Sequence, residues 1–218
     1  MQTNTTIIRD EMIKMAATTE KMLAEIFDPN KDFQSMMVLE NEVNTFHKKV
    51  DDLTFKYLAL KHPNARDLRF AISVIKMNSD FERIGDLCTN IKRHLVQLKA
   101  DQPLLKSIHA EVQTMISNVT NSFIRSDVAL ASEVIRHDQI VNDLNRRIIR
   151  NLSEDKQLNF DDSYTINLIA FKFERIGDHA TNIAEDVIFI ESGKDIRHGN
   201  AIEILKLINK NLNLKFLL

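Results

Sequence analysis

The sequence predicts an all-α protein built as two tandem three-helix bundles. Glycine and proline account for only 4 and 3 of the 218 residues, which disfavours a turn-rich β protein. Apolar residues alternate at spacings of three and four over long segments, as expected for antiparallel helices packed at shallow angles. The stretch FERIGDLCTNI at 81–91 recurs as FERIGDHATNI at 173–183, identical at nine of eleven positions. This internal duplication places the first bundle at 1–100, the second at 101–195 and a C-terminal tail at 196–218.

The first repeat is divided by prolines, which are tolerated best between helices. Its helices are predicted at about 6–27, 33–61 and 65–99. The second of these helices carries an apolar stripe at a strict alternation of three and four residues, which predicts its buried face. The stripe consists of Val43, Phe46, Val50, Leu53, Tyr57 and Leu60.

The second repeat follows the same plan. One helix is predicted after Pro103 and another from near Asp127, followed by a polar loop over 153–162. The last helix has an apolar stripe in register with that of its counterpart and is predicted to stop at Gly193. Such stripes are also compatible with an extended coiled coil, but the short proline-marked turns favour helices folded back on each other. Because no segment resembles a Gly/Ser linker, the two lobes are expected to pack together.

The tail contains an apolar and basic segment, AIEILKLINKNLNLKFLL at 201–218. It is predicted to form a final amphipathic helix that packs on the protein or on a second subunit. A helix lying on a membrane surface is the alternative.

The composition favours a soluble cytoplasmic protein. The formal net charge is -2, so no overall charge drives the chain onto nucleic acid or an anionic membrane. The single cysteine, Cys88, excludes an internal disulfide and is typical of a reducing compartment. The N-terminal segment has no apolar signal core, and no run of about 18 apolar residues predicts a membrane span.

Polar residues of the duplicated stretch share one helix face. Each copy spaces Glu, Asp and Asn four residues apart, which stacks their side chains roughly 6 Å apart along the axis. At about 100° per residue, they lie opposite the apolar seam. A solvated acidic face is the ordinary interpretation, but the same polar residues recur in order in both copies, which favours a function. The residues are Glu82, Asp86 and Asn90, then Glu174, Asp178 and Asn182.

These oxygen donors predict a cation site in each repeat. Carboxylates and amides bind Mg²⁺, Mn²⁺, Ca²⁺ or iron. Because one helix cannot complete a coordination sphere, further ligands are expected from Glu42 and Asp138, each about 40 residues before its motif. Asn142 follows Asp138 by one turn, whereas the equivalent position of the first repeat is interpreted as Phe46, which cannot ligate a metal. The two sites are therefore expected to differ.

Signatures of several enzyme classes are absent. The sequence contains no HExxH, CxxC, P-loop or GxSxG motif, and no histidine follows a glutamate by three residues as in di-iron bundles.

Gly85 and Gly177 occupy helix positions near the seam, where the lack of a Cβ allows a neighbouring helix to approach closely. Arg83 and Arg175 are expected to pair with the motif acids or to meet an anionic partner.

At these residues the sequence resembles the PhoU family of bacterial phosphate-signalling regulators. The resemblance rests on ERIGDLCTNI and ERIGDHATNI, together with PNARDLR at 63–69, VIRHDQIVNDL at 134–144 and GKDIRH at 193–198. It covers about residues 5–200. It implies two similar three-helix bundles packed side by side, as the periodicity also predicts.

The resemblance further implies a function. Members of the family are cytoplasmic, non-enzymatic adaptors between the ATPase subunit of a phosphate ABC transporter and a sensor histidine kinase. They repress the phosphate-starvation response and restrain phosphate uptake, and a homodimer is expected. Members bind multinuclear iron or zinc, or Mg²⁺ or Mn²⁺, on their E-x-x-x-D surfaces. The motif match transfers that role to Glu82, Asp86, Glu174 and Asp178, with Asn90, Asn182, Asp138 and Glu42 as further ligands.

Two other functions remain open on the residues alone. One is a hydrolase that uses carboxylate-bound metal, although no base or nucleophile lies beside the motif. The other is a structural helical module whose acidic faces bind nothing.

Overall fold

The structure is a computed structural model that describes residues 4–98, 103–155 and 157–196. No strand occurs within these ranges, and the all-α prediction is confirmed. The helices are α1 (Asn4–Ala24), α2 (Phe33–Lys61), α3 (Ala65–Leu95), α4 (Pro103–Arg125), α5 (Val128–Glu154) and α6 (Phe160–Ser192).

Short polar side chains start four of these helices. Each accepts hydrogen bonds from backbone N–H groups of the first turn, which would otherwise lack partners. The caps are Asp32, Asn64, Asp127 and Asn159. At the other end of α6, Gly193 adopts φ 71°, the left-handed conformation that glycine tolerates and that closes a helix.

The observed helix ends differ from the predicted ones at three places. The first helix stops at Ala24 because the next carbonyls turn out of the helix: Lys92 Nζ donates to Ile26 O at 3.0 Å and to Asp28 O at 2.9 Å. The third helix ends at Leu95, before the predicted limit near 99. The loop predicted over 153–162 is shorter, because α5 continues through Glu154 and the Asn159 cap starts α6 inside the predicted loop.

The six helices form two layers. One layer contains α2, α3, α6 and α5 in that order, and α1 and α4 pack together across its back. The α3 and α6 helices run antiparallel at the centre, since Asp80 of α3 contacts His179 at 2.7 Å and Ser73 contacts Asp186 at 3.4 Å. Both copies of the duplicated stretch therefore lie side by side in the middle of the molecule.

The predicted stripe of α2 is only partly correct. Val43, Val50 and Tyr57 are buried and Phe46 and Leu53 are half-buried, as the stripe requires.

Leu60, by contrast, is 71% exposed. The helix α2 lies at the edge of its layer, against α1 and α3, and Leu60 lines a surface pocket between its last turn and the start of α1. A periodic stripe predicts which residues face inward, but it does not show how far along the helix the packing continues.

Aromatic packing joins the two lobes. Phe27, which follows α1, stacks on Phe173 of α6 at a centroid distance of 6.3 Å. His109 of α4 lies between them and contacts Leu23 O through Nε2 at 2.7 Å, and its burial lowers the pKa of the imidazole. The lobes pack together as expected from the absence of a linker.

The tail predicted as an amphipathic helix at 201–218 lies outside the described residues. Of the predicted tail, only the segment up to Ile196 is described, and Ile196 is buried. No described helix is long and apolar enough to cross a lipid bilayer.

Truncating Phe173 should strongly destabilise the protein. Phe173→Ala removes a fully buried ring from the contact between the lobes, so the free energy of unfolding should fall by about 3–5 kcal/mol in urea titrations. Phe171→Ala provides the control, because that ring is 51% exposed and its loss should cost less than about 1 kcal/mol. Equal losses in the two variants would contradict the assignment of Phe173 to the core.

Candidate functional site

Close helix contacts at two glycines organise the candidate site. A methyl group on Gly177 of α6 would lie 3.2 Å from Asp138 Oδ1 and 3.4 Å from Val141 Cγ1, both on α5. In the first lobe, a methyl group on Gly85 of α3 would lie 3.4 Å from Val43 Cγ1 of α2. The glycines thus allow the middle helix of each lobe to lie directly against the acidic motif, as predicted for these positions.

This contact identifies which α2 residue corresponds to Asp138. Because Val43 faces Gly85 as Val141 faces Gly177, the residue three positions before each valine is equivalent. That residue is Asp138 in α5 and Glu40 in α2. The proposed correspondence of Asp138 with Glu42 is wrong, and Glu42 is exposed on the surface of α2.

The same alignment also corrects the predicted counterpart of Asn142 in the first lobe. The residue after each valine is Asn142 in α5 and Asn44 in α2, so the first lobe also has an amide where Phe46 was expected. The repeated Val-Asn dipeptide was the sequence signal that could have revealed this register. The error arose because the distance to the motif differs: Val43 precedes Gly85 by 42 residues, whereas Val141 precedes Gly177 by 36.

Both middle-helix acids have an unpartnered oxygen. Glu40 Oε2 and Asp138 Oδ1 are buried and make no hydrogen bond to a described residue. The other oxygen of Asp138 accepts a 2.7 Å hydrogen bond from Asn142 Nδ2. A buried carboxylate oxygen without a partner is unfavourable, so a ligand that supplies positive charge would stabilise this arrangement.

Three carboxyls of the second lobe repel one another. The pKa of Asp138 is raised by burial and by the charge of Asp178. The pKa of Glu174 is raised by burial, by Asp178 and by Asp138. The pKa of Asp178 is raised by partial desolvation of its carboxyl, although the residue as a whole is exposed, and the charges of His179 and Arg175 oppose this effect. We refer to Asp138, Glu174 and Asp178 as the acidic trio.

The first lobe balances its acids differently. Arg83 Nε lies 3.5 Å from Glu82 Oε2, and Arg83 Nη1 lies 3.5 Å from Asp86 Oδ2. The expected pairing of this arginine with the motif acids is therefore present, although its side chain is 62% exposed and the contacts are long. Asn90 donates to the carbonyl of Asp86 at 2.8 Å, which holds its amide along the helix.

A polar contact links the motif of the second lobe to the first lobe. His179 Nδ1 lies 2.7 Å from Asp80 Oδ1, and Asn182 Nδ2 donates to the same oxygen at 3.4 Å. This link could not be predicted from the sequence, because His179 and Asp80 are 99 residues apart and occupy non-equivalent repeat positions.

All eight residues predicted as metal ligands lie outside the fully buried core. Glu82, Asp86, Asn90, Glu174 and Asp138 are half-buried, and Asp178, Asn182 and Glu42 are exposed. Across the described ranges, no three His, Cys, Asp or Glu side chains are gathered closely enough to enclose a metal ion. The donor types and the two unpartnered oxygens nevertheless fit a hard cation, which would draw the carboxylates of two helices together.

The fold and site define a class: a duplicated all-α protein with one acidic helix surface in each lobe. Residues 12–94 and 105–187 each match the family model described as PhoU domain. The chain belongs to the PhoU family.

The relatives agree over nearly the whole chain. A phosphate-specific transport system accessory protein PhoU homolog from Pseudomonas aeruginosa is 31% identical over 208 residues, covering 88% of this chain and 85% of the relative. The corresponding PhoU protein from Serratia marcescens is 31% identical over 216 residues, covering 91% and 88%.

A solved structure shows the same architecture. The crystal structure of PhoU from Pseudomonas aeruginosa matches with a TM-score of 0.81 and 28% identity, covering 88% of this chain and 98% of that one. A PhoU structure from Streptococcus pneumoniae has a TM-score of 0.80 at 19% identity, covering 88% and 96%, and shows the fold alone.

The acidic trio should make stability depend on pH. A carboxyl with a raised folded pKa binds more protons folded than unfolded, so the free energy of unfolding falls as pH rises from about 4 through the raised pKa. Asp138→Asn removes one of the repelling charges. It should stabilise the apo protein at pH 7 by on the order of 1 kcal/mol, and this gain should shrink towards pH 4.

Urea titrations at both pH values in a chelator would measure this effect. Asp143→Asn is the matched control on the same helix, because its side chain is exposed and pairs with Arg146 at 2.9 Å. Its effect should stay within about 0.5 kcal/mol. A gain for Asp138→Asn that is the same at pH 4 and pH 7 would contradict the repulsion between the three carboxyls.

Proposed function

We propose that this protein is a metal-binding regulator of phosphate transport. The observation that carries the proposal is the match of both repeats to the PhoU domain, together with relatives named as accessory proteins of the phosphate-specific transport system. The relatives span most of this chain, and most of their own length is matched in return. This coverage supports a function that the whole chain, with both lobes, shares with these relatives.

The regulator acts as a cytoplasmic adaptor without catalytic activity. It couples the ATPase subunit of a phosphate ABC transporter to a sensor histidine kinase, restrains uptake and keeps the starvation response off when phosphate is plentiful. It works as a homodimer. These finer roles follow from the family resemblance, and a rigid two-lobed helical body with polar outer faces is physically suited to bridging two proteins.

Metal binding is supported by the structure of each site. In the second lobe the cation is held by Asp138, Glu174 and Asp178, with Asn182 beside them. In the first lobe the corresponding donors are Glu82, Asp86 and Asn90, and Glu40 replaces Glu42 as the acid supplied by α2. Iron, zinc, Mg²⁺ or Mn²⁺ would supply the positive charge that the unpartnered oxygens of Glu40 and Asp138 lack.

Bound metal should depend on the acids of both helices. Glu174→Ala/Asp178→Ala should lose the metal of the second lobe in elemental analysis of purified protein incubated with iron, zinc or Mn²⁺. Glu40→Gln should reduce the metal of the first lobe, whereas Glu42→Gln, two residues away and exposed, should retain it. If wild type and the double variant carry equally little metal, the acidic faces are not metal sites.

The adaptor role predicts two protein partners. Full-length tagged protein should recover the transporter ATPase subunit and the sensor kinase from detergent-solubilised membranes of the native host grown in high phosphate. Deleting the gene should raise the expression of a reporter gene under phosphate-starvation control in the same medium. If neither partner is recovered although both are detected in the extract, and the reporter is unchanged, the adaptor proposal fails. Sustained metal-dependent phosphoester hydrolysis that is lost in Glu82→Ala/Asp86→Ala would favour the hydrolase instead.

A further inference from the structure

Three exposed aromatic side chains form a line on α6. Phe160, Tyr164 and Phe171 are 81%, 56% and 51% exposed, and their spacing places them within about 40° of one another around the helix. The rings of Phe160 and Tyr164 stack at 6.3 Å with an interplanar angle of 12°. We call these three residues the aromatic stripe. Single exposed apolar residues are ordinary, but a line of aromatic rings on one helix is typical of a binding surface.

Four basic side chains lie near one another at the seam between α3 and α6, the helix that carries the stripe. Lys172 and Arg175 follow Phe171 on α6, and Arg93 and His94 lie near the end of α3. The antiparallel packing of α3 and α6 brings the end of α3 alongside the first half of α6. We call these four residues the basic flank.

The members of the basic flank act on one another with like charge. The cationic groups of Arg175 and Arg93 lie close enough to Lys172 for their like charges to interact. Burial lowers the pKa of His94, with further lowering by Lys172 and Arg93. Arg93 also lies over the ring of Phe33 at 5.1 Å, which fixes its position. An anionic ligand would relieve this repulsion.

This combination belongs to the second lobe. At the 92-residue offset, Phe171 and Lys172 correspond to Ser79 and Asp80 of the first repeat. Phe160 and Tyr164 correspond to Leu68 and Ile72, which are apolar and 42% and 40% exposed. The first repeat therefore keeps an exposed apolar pair at the opposite end of the molecule, without the third ring and without the lysine.

We propose that the aromatic stripe and the basic flank form a docking surface for an acidic, apolar segment of a protein partner. The rings provide anchors of large area and low entropy cost, and the cations meet the carboxylates of the segment. The inference rests on the proposed adaptor role and specifies where on the molecule, and with what chemistry, one partner is held.

The charge distribution favours a peptide over a membrane surface. Asp178 lies on the same face of α6, about 10 Å along the axis from Phe171, the last ring of the stripe. An anionic bilayer resting on the stripe would also approach the acidic trio, which would repel it. A peptide of about three helical turns covers Phe160 to Phe171 and ends about one turn before Glu174, whereas a bilayer would cover the whole face.

Binding of defined peptides to the full-length protein tests this surface. Fluorescein-labelled 18-residue peptides that tile the cytoplasmic parts of the transporter ATPase subunit and the sensor kinase would be titrated by fluorescence anisotropy. The peptides that bind should be rich in Asp and Glu with interspersed Leu or Phe. Phe160→Ser/Tyr164→Ser should weaken their binding at least tenfold. Charge reversal by Lys172→Glu, or by Arg93→Glu at the exposed edge, should do the same, and exchanging a peptide Glu for Lys should restore part of the affinity.

The duplication provides the control. Leu68→Ser/Ile72→Ser changes the equivalent positions of the first repeat and should leave the affinity within twofold. If peptides bind equally well to wild type and to the stripe and flank variants, if the bound peptides are basic, or if only phosphatidylglycerol vesicles bind, the docking surface is wrong. Co-purification of the intact partners tests the adaptor role separately, so recovery of the partners without peptide binding overturns this surface and leaves the proposed function standing.

Discussion

The close packing of helices at Gly85 and Gly177 is the contact on which the arrangement of both sites depends. A side chain at either position would hold the middle helix of the lobe away from the motif helix, because neighbouring atoms lie within 3.2–3.4 Å of where its first carbon would be. A glycine within a helix costs about 1 kcal/mol relative to alanine. The contacts that it permits with Val43, Val141, Met22 and Met115 offset this cost, and in the second lobe they bring Asp138 beside the motif acids.

Bringing a third carboxylate against the motif is unfavourable for the isolated chain. Asp138 repels Glu174, and one of its oxygens is buried without a partner. The first lobe has the same backbone arrangement but lessens its charge through Arg83, which lies near both Glu82 and Asp86. An arginine that remains mostly exposed contributes little to stability, so it neutralises the site without closing it. The two lobes thus combine one scaffold with different degrees of charge compensation, and a cation would stabilise the second lobe more.

Periodicity was enough to predict the helices and the polar face of the motif, and the repeated stretch was enough to predict the duplication. Helix periodicity depends only on residues that are close in the sequence, and the same pattern occurs in both repeats. The errors concern two properties that helix periodicity does not determine: how exposed a residue of the stripe is, and which residues of neighbouring helices meet. Leu60 fits the apolar stripe, but its side chain is 71% exposed. Glu42 was predicted because a spacing of about 40 residues to the motif was assumed in both lobes. The valine and the glycine that meet are instead 42 residues apart in the first lobe and 36 in the second.

Differences between the two copies are explained by the way in which they pack. Because α3 and α6 run antiparallel, residues from non-equivalent repeat positions meet across the seam, and Asp80 finds His179. Their repeat counterparts are Lys172 and Leu87, which cannot form the same pair. One pair of substitutions therefore has two effects: it joins the lobes through an acid–histidine contact at one point of the seam, and it leaves a cation beside Phe171 at the other. A duplicated protein that preserved both copies would have two equal halves, whereas this divergence leaves a lysine next to the exposed ring of Phe171 in the second lobe alone.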